Sequence, residues 1–267
     1  MGILKKIKRV LGGQPASASR RFVPDPRHWY IVSYPKSGNT WMRFLLAHVL
    51  FPGDDEITFP RLGSMVPDAC RTQDRDAMRD GSAPFARCAH PFVKTHDPYA
   101  PEYRRVLYIV RDGRDALTSY YHWQNARRET PLSLADIVRG DSPHGSWSKH
   151  VLGWMHGEAD AKVVVKYEDL LADTAGQLRR ILDATGVPAE DAAIERAVRL
   201  SSFDSMKRAE REHGLFDGGK AMSEVMPFVR KGKAGDWRTL FGEPELALFW
   251  QIHGEAMRAA GYGEDDR

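Results

Sequence analysis

Two rhythms alternate along this chain: short unbroken apolar runs, and longer stretches in which apolar positions recur every three or four residues. HWYIVSY, His28 to Tyr34, is an apolar, β-branched and aromatic run that predicts a strand. The turn residues Pro35 to Asn39 follow, and then a helical pattern from Trp41 to Val49. Pro91 to Thr95 predicts a brief strand. RVLYIV, Arg105 to Val110, is continuously apolar, as expected of a parallel strand buried on both faces. KVVVKY, Lys162 to Tyr167, predicts another. Helical periodicity marks about 116–126, 146–156, 175–184, 190–200 and 243–260, with Gly186 and Gly261 placed to stop two of these helices.

Strand and helix in alternation predict an α/β fold, a single domain with a central parallel sheet flanked by helices. Two stretches lack clear periodicity. Residues 51–91, rich in Pro, Gly, Asp and Arg, read as a loop or short-helix excursion of the kind that lines an acceptor pocket. Residues 214–235 are Gly-rich and read as a lid loop. Residues 1–27 form a basic, amphipathic segment and linker, which leaves 28–267 as the domain. Ile3, Leu4, Ile7, Val10 and Leu11 share one helical face among lysines, a pattern that can dock weakly on an anionic membrane surface. A frayed, solvated tail is the simpler reading of so short a segment.

Bulk composition narrows the function. The net charge of +3 over 267 residues falls short of the excess a nucleic-acid binder carries. It suits an enzyme with a polyanionic ligand, and equally a charge that carries no functional meaning over this length. The two cysteines, Cys70 and Cys88, form no CxxC pair, and no metal-ligand spacing is visible. Two free thiols in a reducing cytoplasm are expected. The apolar stretch from Trp41 to Phe51 is too short to cross a bilayer.

Four segments carry candidate chemistry. In YPKSGNTW, Tyr34 to Trp41, the chain leaves a strand, turns through Ser37 and Gly38, and starts a helix. Such a turn aims backbone N–H groups and a helix N-terminus at one point, where phosphate binds. Lys36 adds charge, and Ser37 and Thr40 add hydroxyls. The lysine precedes the glycine, so the GxxxxGK[ST] string of Mg²⁺-dependent nucleotide sites is absent. Arg111 ends the central strand, where a guanidinium can clamp a phosphate, and Ser119 lies eight positions on. Arg114 and Asp115 read as part of a surface salt-bridge cluster. Lys94 and His96 in VKTHDP project the same way from an extended segment. FVRKGKAGDW, Phe228 to Trp237, is a basic glycine-rich loop that either folds over a polyanion or stays solvated.

The order of YPKSGNTW, KTH, RDGRDALTSYYHW, GSWSKHVLGW, KYEDLLAD, SSFDSMK and RKGKAGDW resembles the sulfotransferase family that uses 3′-phosphoadenosine 5′-phosphosulfate (PAPS), especially its cytosolic branch, from about His28 to Tyr262. The resemblance implies a P-loop-like sulfotransferase fold and PAPS as co-substrate, without a metal. It implies that Lys36, Ser37, Gly38, Asn39 and Thr40 cradle the 5′-phosphosulfate and that Trp41 stacks on adenine. Arg111 and Ser119 would hold the 3′-phosphate with Arg230, Lys231 and Gly232. Tyr167, Ser202, Phe203 and Met206 would complete the adenosine pocket. His96 would be the general base, with Lys94 and Lys36 as its catalytic neighbours. The acceptor class, whether small molecule, glycan or lipid, does not carry over. Asn39 stands where many animal members have threonine, and the family's short dimerisation motif is not legible in RTLFGEPELAL. The alternatives are a P-loop-type nucleotide kinase, which needs Mg²⁺ and a lysine after the glycine loop, and a non-catalytic polyanion- or membrane-binding protein.

Overall fold

A computed structural model describes residues 22–54, 56–126, 128–140, 144–215, 229 and 232–263. Four parallel strands, β1 (Trp29–Val32), β2 (Phe92–Thr95), β3 (Arg105–Val110) and β4 (Ala161–Lys166), form one sheet in the order β2-β1-β3-β4. Consecutive side chains of β1 and β3 go to opposite faces, and both faces are covered. Ile31, Leu107 and Ile109 pack into one apolar layer, and Tyr30, Val32, Val106, Tyr108 and Val110 into the other. This double burial is why the strands read as unbroken apolar runs. Leu107 and Ile109 are fully buried, each worth about 1.5–3 kcal/mol over an exposed position.

The first layer is completed by α1 (Asn39–Leu50) and by α8 (Thr174–Thr185) and α9 (Asp191–Leu200), numbered in chain order. The second is completed by α4 (Gly113–Asn125), α6 (Trp147–His156) and α11 (Glu243–Ala259). Gly186 ends α8 in the left-handed region, φ 72°, as its placement predicts. The remaining helices are α2 (Phe59–Met65), α3 (Thr72–Arg79), α5 (Leu134–Arg139), α7 (Tyr167–Ala172) and α10 (Phe203–His213). Two of them, α2 and α3, lie inside the 51–91 excursion. It also touches the sheet: Lys94 N–H donates to the Pro67 carbonyl and Ala69 N–H to the Lys94 carbonyl, both at 2.8 Å, so residues 67–69 lie along the edge of β2. The excursion is therefore an extension of the sheet edge as well as a loop. No helix among the described residues is long and apolar enough to cross a membrane. The segment 3–11, and most of the expected lid, lie outside the described residues.

Candidate active site at the C-terminal rim of the sheet

The turn after β1 is shaped by two backbone conformations. Lys36, at φ 68°, is the one non-glycine residue with positive φ among those described, and Gly38 follows at φ 98°. Gly38 is required twice over. Its φ disfavours any Cβ, and a Cβ there would sit 2.6 Å from Cδ2 of Tyr167. The helix α1 that starts here has no side-chain cap and no acid in its first turn, so its leading N–H groups and positive dipole end face the turn. Ser37 is buried, and its Oγ has no hydrogen-bond partner in the described structure.

Arg111, one residue past β3, reaches into the same space. It donates to the carbonyls of Lys36 (3.0 Å) and Lys233 (3.1 Å), and its guanidinium lies 4.4 Å from the Tyr167 ring centroid. Its Nε is buried without a partner among the described residues. Tyr167 opens α7 at the end of β4, and its ring packs edge-on to Trp41 at 5.9 Å. Trp41, Phe203 and Met206 all border the same apolar layer. A Cβ at Gly232 (φ 60°) would meet Phe203 at 2.5 Å, so the late loop rests on the start of α10. Ser202 caps that helix, accepting from Ser205 N–H at 3.3 Å. Ser119 lies farther along α4 and is half-buried. Arg230 and Lys231 lie outside the described residues.

At the end of β2, His96 stands beside the turn. Its Nδ1 is 2.7 Å from the Ser33 carbonyl, an acceptor only, so Nδ1 carries the proton and Nε2 the lone pair. The Asn39 amide nitrogen, 2.9 Å from Ser33 Oγ, lies 3.3 Å from that Nε2. Burial, reinforced by the Lys94 charge, holds the His96 imidazole well below its ordinary pKa, so it is neutral and able to accept a proton. The His144 ring packs against it edge-on at 5.6 Å, and burial also lowers His144. Lys94 does not point into open space: its ammonium is paired with Asp68 at 2.8 Å, and both are buried.

Arg114 and Asp115 are each 1% exposed, which overturns their reading as a surface cluster. The pairing exists but is interior. Arg114 binds Asp112 at 2.7 Å and stacks on Trp237 at 4.3 Å. Asp115 accepts from the backbone N–H groups of Gly235 (2.6 Å) and Trp237 (2.9 Å) and lies 3.7 Å from Arg111. It anchors the late loop to α4. Glu168 performs a similar tie, accepting from Asp112 N–H (3.1 Å) and from the Tyr262 hydroxyl (2.6 Å). Asp68, Asp115, Glu168 and His144 were not singled out for the site from sequence. Asp115 sits inside a recognised block and His144 directly precedes another, whereas Asp68 carries no local signal.

The phosphate-binding geometry of this rim fits a doubly phosphorylated adenosine. Ser37 Oγ and Arg111 Nε are orphaned polar atoms, and the uncapped helix end supplies further donors. Known proteins point the same way. A 3-alpha-hydroxysteroid sulfotransferase from Cavia porcellus is 29% identical over 256 residues, covering 91% of this chain and 87% of that protein. A flavonol 3-sulfotransferase from Flaveria bidentis is 27% identical over 269 residues, covering 91% and 86%. Mouse sulfotransferase SULT7A1, solved in complex with PAP, shares the fold with a TM-score of 0.65 at 23% identity, covering 89% of this chain and 86% of that one. The model of the sulfotransferase domain matches residues 26–261, nearly the whole described fold, and the chain therefore belongs to the sulfotransferase family.

Proposed function

We propose that this enzyme transfers a sulfuryl group from PAPS to the hydroxyl or amine of a small-molecule acceptor, with the rim residues in the following roles. The Lys36–Thr40 turn holds the 5′-phosphosulfate, and Trp41, Tyr167, Phe203 and Met206 hold the adenosine. Arg111, Ser119 and the late loop residues Arg230, Lys231 and Gly232 take the 3′-phosphate. In the reaction the acceptor oxygen bonds to sulfur as the bond from sulfur to the 5′-phosphate oxygen breaks. Negative charge builds on that leaving oxygen, as in phosphoryl transfer, and 3′-phosphoadenosine 5′-phosphate (PAP) departs. Lys36 and the turn amides stabilise the developing charge more than the ground state. The acceptor's proton passes to Nε2 of His96, whose other nitrogen is fixed by the Ser33 carbonyl.

One observation carries this reading: Arg111 bridges the Lys36 carbonyl and the Lys233 carbonyl while stacking on Tyr167, so three distant segments meet around one guanidinium. The decisive measurement compares binding of PAP with that of adenosine 5′-phosphosulfate, which lacks the 3′-phosphate. Arg111→Ala should weaken PAP by at least about tenfold, the range of a lost charge-assisted hydrogen bond, and scarcely change the second ligand. Equal losses would remove Arg111 from the 3′-phosphate. PAP should also raise the melting temperature without Mg²⁺, where a nucleotide kinase would respond to ATP with Mg²⁺. The relatives' names include steroid and flavonol sulfotransferases, so phenols and hydroxysteroids are the first acceptors to assay with labelled PAPS.

A further inference from the structure

The charge next to the proposed base is not left alone. Lys94, two residues before His96, places its ammonium 2.8 Å from Asp68 Oδ2, and neither side chain is more than 11% exposed. Asp68 is itself fixed by backbone. Its N–H donates to Asp74 Oδ2 at 2.9 Å, and its Oδ1 accepts from Cys70 N–H at 2.9 Å. The flanking residues 67 and 69 are bonded to the edge of β2. The excursion that matches no motif thus delivers a carboxylate to the catalytic strand.

Resting on the roles proposed for His96 and Lys94, we propose that Asp68 is a positioning residue of the transfer reaction, fixing the Lys94 ammonium and offsetting its charge so that His96 can take up the acceptor's proton. The other groups facing this cluster leave that task to Asp68. From α1 come Arg43, paired with Asp74 at 3.3 Å, and Asn39, at His96 Nε2. From the start of α3 comes Asp74, itself paired with Arg71 at 3.3 Å. The Ser33 carbonyl holds Nδ1, His144 packs edge-on to the ring, and the Asp97 carboxylate, whose charge acts on His144, accepts from the Tyr103 hydroxyl. Asp74 is shared by two arginines and by the Asp68 N–H, so Asp68 is the carboxylate bonded to Lys94. Burial pushes the Asp68 carboxyl up, but Lys94 and Arg43 outweigh it and hold the group below the usual carboxylate range, so it is charged at neutral pH. An anion here favours the protonated imidazole, and the Lys94 cation disfavours it.

The test follows the His96 ring by NMR titration of histidine-labelled protein saturated with PAP, the signal assigned by its loss in His96→Gln. Asp68→Asn should lower the His96 midpoint by about one pH unit, the lower end of what a neighbouring opposite charge contributes. Lys94→Met should raise it, and Asp68→Glu should restore it. If Asp68→Asn does not fold, the double variant Asp68→Asn/Lys94→Met is compared with Lys94→Met alone, and its midpoint should again be lower. A midpoint unchanged by removal of Asp68, including one below the stable pH range in both proteins of a pair, overturns the proposal. The outcome is separable from the wider reading. Full turnover in His96→Ala would remove the base itself, whereas an inactive His96→Ala with an unmoved Asp68→Asn midpoint would remove only the role of Asp68.

Discussion

Around the Lys36–Thr40 turn the contacts run largely to backbone, whereas around His96 the backbone contact to Ser33 is joined by paired charges drawn from distant segments. Arg111 binds two carbonyls, Asp115 accepts two N–H groups, and Gly38 and Gly232 allow ring and main chain to approach within a Cβ's radius. On the other side, Lys94 needs Asp68, 26 residues away, and Asp68 is in turn framed by Arg43 and Asp74. On the proposed roles, the nucleotide side recognises a ligand whose charge is the same in every turnover, and fixed amides suffice for it. On the same roles, the acceptor side must let a base beside a cation take up a proton, and that calls for compensating charge.

The two sides should therefore fail differently. His96→Ala is expected to have the largest effect, lowering kcat by about 10²-fold or more, in the range of general-base catalysis, while PAP affinity stays within about twofold. Steady-state rates with any accepted phenol, together with calorimetric PAP binding, check this. A parallel loss of PAP affinity would merge the two sides. Gly38→Ala should produce the converse result. The substitution forces an alanine to φ 98° and drives its Cβ into Tyr167, at a cost of roughly 1–2 kcal/mol from the backbone alone. PAP binding should weaken by about tenfold or more, whereas the His96 titration seen with PAP bound should be unmoved. Intact PAP binding would mean that the turn relaxes without its glycine.

The same contrast governs what the sequence reveals. The run Arg105–Val110 corresponds to β3 residue for residue, because a strand buried on both faces needs no polar position. The turn from Lys36 to Trp41 and the strand-end position of Arg111 were legible because their pattern is local: a lysine, a glycine found at positive φ and a helix start lie within six residues. In contrast, α10 (Phe203–His213) was hidden by its polarity, with Glu210 as its one buried side chain, and within the short-helix excursion the bounds of α2 and α3 were hidden by their shortness. The interior position of Arg114 and Asp115 was missed because charge reads as surface, while here each charge has a partner that sequence spacing alone does not identify. Asp68 lay beyond reach for a similar reason. Its meaning comes from strand pairing with Lys94, and no pattern within the excursion encodes that pairing.

Asp115→Asn gives the smallest expected effect and tests whether the late loop belongs to the nucleotide side. Two consequences oppose each other. Asparagine keeps one acceptor but turns an N–H₂ group toward a backbone donor, so one of the two bonds to Gly235 and Trp237 is lost, at about 1–3 kcal/mol. The change also removes the carboxylate 3.7 Å from Arg111, which frees the guanidinium to serve a phosphate fully. Arg111 remains held by the Lys36 and Lys233 carbonyls, and burial pushes the Asp115 carboxyl above its usual pKa, which already weakens its claim as a counter-ion. The lost anchor should therefore win, with PAP weakened about three- to tenfold, corresponding to about 0.7–1.4 kcal/mol. Adenosine 5′-phosphosulfate discriminates between the two effects. If anchoring dominates because the loop covers the 3′-phosphate, PAP should lose affinity and the ligand without that phosphate should not. If release of Arg111 dominates, PAP alone should bind more tightly, and the loop would then be a structural strap with no part in holding the nucleotide.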